Sequence, residues 1–90
     1  RLAGPYGNIG RLFELRGQLD QALSYYYKAL ALDSVSESAA LINWKVGNLL
    51  AKQGDIERAQ FYYREALRVN PHFAAARQSL DELLNGSTGK

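Results

Sequence analysis

The chain has 90 residues, 47% of them hydrophobic and 22% charged, with a formal net charge of +2. That is the make-up of one small soluble domain, and an aromatic share of 11% argues against disorder. With no cysteine and one histidine, the chain has no disulfide framework, no thiol nucleophile and no multi-histidine metal site of its own. No apolar run approaches the ~20 residues needed to cross a bilayer, and the mild charge does not by itself call for nucleic acid or an anionic membrane. The first residues, Arg1-Leu2-Ala3-Gly4-Pro5, lack the apolar stretch of a secretory signal. A cytoplasmic location is the expectation. The absence of Met makes the chain read as a piece of a longer protein.

One unit is written twice. The segment from Tyr6 to Asp33 aligns with the segment from Asn43 to Asn70, and the identical pairs are Gly10/Gly47, Leu12/Leu49, Gly17/Gly54, Ala22/Ala59, Tyr25/Tyr62, Tyr26/Tyr63, Ala29/Ala66 and Leu30/Leu67. Each copy reads as two helices. In the first, the turn is Gly17-Gln18, and Leu19, Ala22, Leu23, Tyr26, Ala29 and Leu30 line one face of the second helix. The linker Asp33–Ser38 carries three residues beyond the usual repeat length. Ser34 with Glu37 fits a capping box, so the extra residues are expected to lengthen the following helix by about a turn.

In the second copy Leu41, Ile42, Val46, Leu49 and Leu50 recur at helical spacing. Gly54-Asp55 supplies a left-handed C-cap followed by an N-cap. Ile56, Ala59, Tyr63, Ala66 and Leu67 form the next stripe, which ends at Asn70-Pro71 because Pro disfavours helix at the residue before it. Phe73 to Leu84 is a fifth amphipathic segment, with Phe73, Ala76, Leu80, Leu83 and Leu84 on one face. Residues 86–90 read as a flexible tail. Tyr27 and Phe61 fall outside the stripes and are expected to be exposed.

This pattern resembles the tetratricopeptide repeat. Val46, Gly47, Leu50, Gly54, Ala59, Tyr63, Ala66 and Pro71 fall on the family's positions in the second unit, and Tyr6, Ile9, Gly10, Phe13, Gly17, Ala22, Tyr26 and Ala29 do so in the first. The proline of the first unit is missing, with Ser34 in its place. The resemblance implies an all-α α-solenoid of antiparallel helix pairs, wound as a right-handed superhelix. It has five helices in one domain over residues 1–85: repeat 1 about 3–36, repeat 2 about 40–73 and a capping helix about 73–84. Glycine facing alanine lets the helices of a hairpin approach, while Tyr26 and Tyr63 fill the space toward the next unit. Two units and a helix make a short stack, so apolar ends are expected near Tyr6, Phe13 and Leu80.

Enzyme signals are absent. Gly4-Pro5-Tyr6-Gly7 is too short for a phosphate loop, and His72 sits in a loop with no partner suggested by spacing. No cofactor or metal is expected, and carboxylates such as Asp55 and Glu65 read as caps and solvated faces. The tyrosine runs read as packing rather than as base-stacking platforms, and nucleic acid is not an expected partner because basic and acidic groups alternate.

The resemblance implies a concave groove, lined by the first helix of each unit, that binds a peptide or partner segment. Projected here, the groove takes Asn8, Arg11 and Glu14, then Leu41, Trp44, Lys45, Asn48 and Lys52, with Gln78 and Glu82 from the last helix. The candidate binding residues are Asn8, Arg11, Trp44, Lys45, Asn48, Lys52 and Gln78. Trp44 serves as the aromatic anchor, and the cations meet carboxylates of an acidic partner. The alternative is a merely solvated face. The two-carboxylate clamp of chaperone-binding members is not reproduced, since its positions hold Gly7, Arg11, Lys45, Ala75 and Ser79. The function expected is a protein–protein interaction scaffold. Its rivals are a homo-oligomerisation module working through the stack ends, and the regulatory or substrate-docking region of a larger enzyme.

Overall fold

The computed structural model describes residues 3–89, which form five α-helices and no strand. They are α1 (Ala3–Leu15), α2 (Leu19–Leu32), α3 (Glu37–Lys52), α4 (Ile56–Val69) and α5 (Ala74–Gly89). Helices α1 and α2 pack as one hairpin and α3 and α4 as a second; α2 lies on α3, and α5 lies on α4 with a smaller contact to α3. The result is a slab of 40 × 28 × 17 Å.

The two hairpin turns are built alike. Gly17 and Gly54 take φ of 78° and 86°, the left-handed region that a side chain would penalise. Each turn closes with the same pair of backbone bonds. Gly17 N–H and Gln18 N–H donate to the carbonyls of Glu14 and Phe13, while Gly54 N–H and Asp55 N–H donate to those of Ala51 and Leu50. This satisfies carbonyls that a helix end would leave unpaired. Asp55 then caps α4, its side chain accepting from Arg58 N–H at 3.2 Å. Gln18, its counterpart before α2, makes no side-chain cap bond.

Inside each hairpin a tyrosine ring occupies the space above a glycine. A Cβ built on Gly47 would stand 2.6–2.7 Å from two atoms of the Tyr63 ring, and one built on Gly10 would stand 2.8 Å from two atoms of the Tyr26 ring. Real Cβ atoms essentially never approach so closely, so a residue larger than glycine must push the ring out. The expectation that glycine faces alanine is therefore refined. At Gly10 the Ala22 carbonyl oxygen lies 3.2 Å from the Cβ position, but the ring is closer. Each tyrosine is tethered at its far end too. Tyr26 Oη–H donates to Glu14 Oε1 at 2.7 Å, and Tyr63 Oη–H to Asn48 Oδ1 at 2.6 Å. Ala22, Ala29, Ala59 and Ala66 are fully buried around these rings, small enough for close helix approach. Val46, Leu49 and Leu50 complete the core between the hairpins.

The neighbouring tyrosines stack outside this core. Tyr25 lies against Phe13 at 5.5 Å and Tyr6 at 6.2 Å, with the Lys28 amine 4.9 Å from its ring centre. Tyr62 packs on Tyr27 across the seam between hairpins at 5.9 Å. Phe61 is exposed as expected, whereas Tyr27 is half-buried, because Tyr62 covers its ring and its hydroxyl accepts from Arg58 Nη2 at 3.0 Å.

The linker departs from its expected form. The capping box of Ser34 and Glu37 does not form. Asp33 organises the segment instead, one oxygen accepting from Val35 N–H and Ser36 N–H and the other from the Ser36 hydroxyl. The Ser36 hydroxyl, followed by the two backbone donors, holds the Asp33 carboxyl below the usual carboxylate range. Helix α3 begins at Glu37 and spans 16 residues. At the other end α5 runs on through Gly89, past Leu84 and into the segment read as a tail, while Lys90 lies outside the described residues. Gly86 does not take positive φ, so it forms no left-handed cap and the helix continues through it. Leu80, expected at an open stack end, is buried, because α5 turns it onto the core.

Two outcomes follow from the seated rings. Gly47→Ala should lower the unfolding free energy in urea by about 1–2 kcal/mol, overpacking outweighing the helix-propensity gain. Gly7→Ala should be neutral or stabilising, since its Cβ would meet only Ile42 Cδ1 at 3.4 Å. Equal effects at both positions would contradict the seating.

The second outcome concerns alkali. Burial first, then the bond to Glu14 and its charge, push Tyr26 well above the ordinary tyrosine value, with Arg11 opposing. The folded state thus keeps a proton that the unfolded chain releases near pH ~10. Stability from this source is complete below that pH and falls as pH rises above it. Urea midpoints from pH 8 to 11 should fall less steeply for Tyr26→Phe than for the parent chain.

Candidate functional site

Helices α1 and α3, the first helices of the two hairpins, lie side by side around a cleft of about 160 Å³. Its walls are Gly7, Asn8 and Arg11 of α1, and Ser38, Leu41, Ile42 and Lys45 of α3, with the Tyr26 ring at its base. Helical spacing explains the set. Residues 7, 8 and 11 share one face of α1, and residues 38, 41, 42 and 45 share one face of α3. Gly7 leaves room at the wall, its Cβ position 3.4 Å from Ile42 Cδ1.

The cleft carries two cations, Arg11 and Lys45. Neither is held in an ion pair among the described residues, where the salt bridges are Arg58–Asp55 and Arg68–Glu65. Both sides therefore keep a charged donor free to meet an anion. Leu41 is 43% exposed and borders a second cleft with Glu37, Ala40, Asn70 and Phe73. It forms an apolar step between the two. Asn8 and Ser38 add uncharged hydrogen-bonding groups at opposite walls.

Three of the seven candidate residues, Asn8, Arg11 and Lys45, thus come together in one cleft. The other four are placed elsewhere. Trp44 points into the seam between α3 and α5. Its indole N–H donates to Ser79 Oγ at 2.9 Å, and its ring lies 5.7 Å from that of Phe73. Truncating Trp44 would loosen α5 before it altered the cleft. Asn48 Oδ1 is occupied by the Tyr63 hydroxyl, so part of its capacity goes to the core. Lys52 is exposed in the last turn of α3. Gln78 lies on the outer surface of α5, donating to Glu82 Oε2 at 3.3 Å, in a separate shallow groove with Arg77, Asp81 and Asn85.

Sequence reasoning passed over Ser38 and the part Tyr26 plays in lining the cleft. Ser38 stands in the first turn of α3, just after the linker. Tyr26 was assigned to the core, and it is buried, yet it also lines the cleft. No helix among the described residues is long and apolar enough to cross a membrane.

Comparison with known proteins bears on this geometry. The chain is similar to a photosystem I assembly protein, Ycf3, of Acaryochloris marina (strain MBIC 11017), 32% identical over 74 residues, which are 82% of this chain and 45% of that protein. It is also similar to the photosystem I assembly protein Ycf3 of Rippkaea orientalis (strain PCC 8801 / RF-1), 31% identical over 71 residues, 79% of this chain and 41% of that protein. The chain therefore spans less than half the length of these curated relatives. The tetratricopeptide repeat model matches residues 1–71, which takes in both hairpins and the turn that leads into α5. On that match, and on its five helices packed as stacked pairs, the chain belongs to the tetratricopeptide repeat family.

Proposed function

We propose that this chain is a protein-interaction module that takes a carboxylate-bearing stretch of a partner polypeptide into the α1–α3 cleft. Arg11 and Lys45 meet the carboxylate from opposite walls, Asn8 and Ser38 hydrogen-bond the partner's backbone, and Leu41 packs on an apolar side chain. The observation that carries this reading is the cleft itself, two cations without ion-pair partners among the described residues flanking an apolar step. Charge-assisted hydrogen bonds to a carboxylate are roughly twice as strong as neutral ones. A half-enclosed cleft weakens the screening that makes exposed ion pairs worth little. The action is binding and not catalysis. The assembly role in the names of the relatives agrees with a chain that grips another polypeptide, and the anchor proposed here is Leu41 in place of Trp44.

The test uses an array of short synthetic peptides of matched length, acidic and basic, probed with the purified chain. Capture should favour acidic peptides and weaken as salt rises from roughly 50 to 500 mM, which shortens the Debye length about threefold. Arg11→Glu with Lys45→Glu should abolish it while circular dichroism stays unchanged, because neither side chain supports the fold. Equal capture of both peptide classes, or capture indifferent to the double charge reversal, would remove the reading.

A further inference from the structure

The second cleft beside Leu41 has the opposite electrostatic character to the first. Its volume is about 260 Å³, and its walls are Glu37, Ala40 and Leu41 of α3 with Asn70 and Phe73 of the turn between α4 and α5. Glu37 is the charged member of this wall. It is exposed and is held in no ion pair among the described residues. The opposite wall is braced. His72 N–H donates to Asn70 Oδ1 and Phe73 N–H to the Asn70 carbonyl, both at 3.1 Å. Phe73 is half-buried, its ring 5.7 Å from that of Trp44, which is itself bonded to Ser79. A carboxylate and an aromatic ring thus share one hollow with the small, buried Ala40.

Helix geometry sets the two clefts on either side of one ridge. At 3.6 residues per turn, Lys45 and Glu37 each lie about 40° from Leu41, in opposite senses. Lys45 therefore joins the wall shared with α1, and Glu37 the wall shared with the α4–α5 turn. Along the axis the two are about 12 Å apart, at the rise of an α-helix. An extended chain covers that span in roughly three or four residues. A polypeptide crossing α3 over Leu41 thus meets Arg11 and Lys45 on one side and Glu37 on the other.

We infer that the second cleft binds a basic side chain of the partner segment, lysine or arginine, set roughly three or four residues from the carboxylate that enters the α1–α3 cleft. This rests on the function proposed above and adds a charge pattern to the partner. The occupant follows from charge complementarity. Glu37 supplies the counter-charge, and the Phe73 ring attracts a cation through its quadrupole. The aliphatic stem of a lysine or arginine packs on Ala40 and Leu41. A second acidic side chain would meet repulsion from Glu37, so the cleft also selects against uniformly acidic segments. The ligand class is therefore a segment with one acidic and one basic side chain on either side of an apolar residue.

The test titrates fluorescently labelled synthetic peptides of one length into the full chain. Each carries a glutamate, an apolar residue and a variable position occupied by lysine, norleucine or a second glutamate. Norleucine keeps the stem of lysine without its charge. The variable position is placed on either side of the first glutamate, at both spacings. In the best arrangement the lysine peptide should bind about fivefold more tightly than the norleucine peptide, and the double-glutamate peptide most weakly. Glu37→Gln should erase the lysine advantage and leave the norleucine peptide's affinity as it was. Glu37→Lys should reverse the order, with the double-glutamate peptide binding more tightly than the lysine peptide. Glu37 is exposed, and circular dichroism of each variant verifies that the fold is kept. Equal binding of the lysine and norleucine peptides in every arrangement, or a lysine advantage that survives Glu37→Gln, overturns the inference and leaves the α1–α3 cleft reading standing. Binding of none of the peptides overturns both.

Discussion

Two aromatic rings lie where two β-carbons would be. Tyr26 rests on Gly10 and Tyr63 on Gly47, and each ring is tied at its hydroxyl to the helix it rests on. The arrangement fixes how near the helices of a hairpin come, because the ring thickness is the spacer. It also fixes rotation about the helix axes, since the hydroxyl must reach Glu14 or Asn48. Once both are set, the alanines at 22, 29, 59 and 66 fall into the narrow gap that only small side chains fit. The apolar residues of α3 then face α2, and the hairpins stack.

The same lock shapes the cleft. Tyr26 is at once the spacer of the first hairpin and the base of the hollow between Arg11 and Lys45. The cleft wall is therefore anchored to the core, and the two cations are carried on helices whose separation is set by packing. Arg11 is felt at this hydroxyl, where it opposes the rise in the Tyr26 pKa caused by burial and Glu14. A site preorganised in this way loses little freedom when a partner binds.

Much of this was legible in the sequence, and the reasons are physical. Glycine at 17 and 54 is demanded by left-handed backbone, so the hairpin turns could be placed to the residue. The recurrence of Gly, Ala and Tyr in register exposed the hairpins, because close packing admits few residue types. What could not be read was how polar side chains are shared out. Trp44 and Asn48 sit on α3 at positions that suit a groove, yet Ser79 and Tyr63 claim them. Those partners lie 35 and 15 residues away along the chain, and no local pattern announces them. The linker misled for a related reason. Ser34 and Glu37 have the spacing of a capping box, but Asp33 offers the backbone a better set of acceptors. Residues 86–90 read as a tail because chain ends are often loose, whereas α5 continues through Gly86, which does not turn left-handed.

The placement of Trp44 gives the molecule an internal optical reporter. It is the only tryptophan in the chain, it is half-buried, and its indole N–H is bonded to α5 and to nothing in the first hairpin. Its emission spectrum thus senses water reaching a single seam, whereas far-ultraviolet circular dichroism sums over all five helices. If the fifth helix lets go before the hairpins separate, the two signals will part company during unfolding. The gap between their midpoints would measure how far this stack departs from all-or-none behaviour.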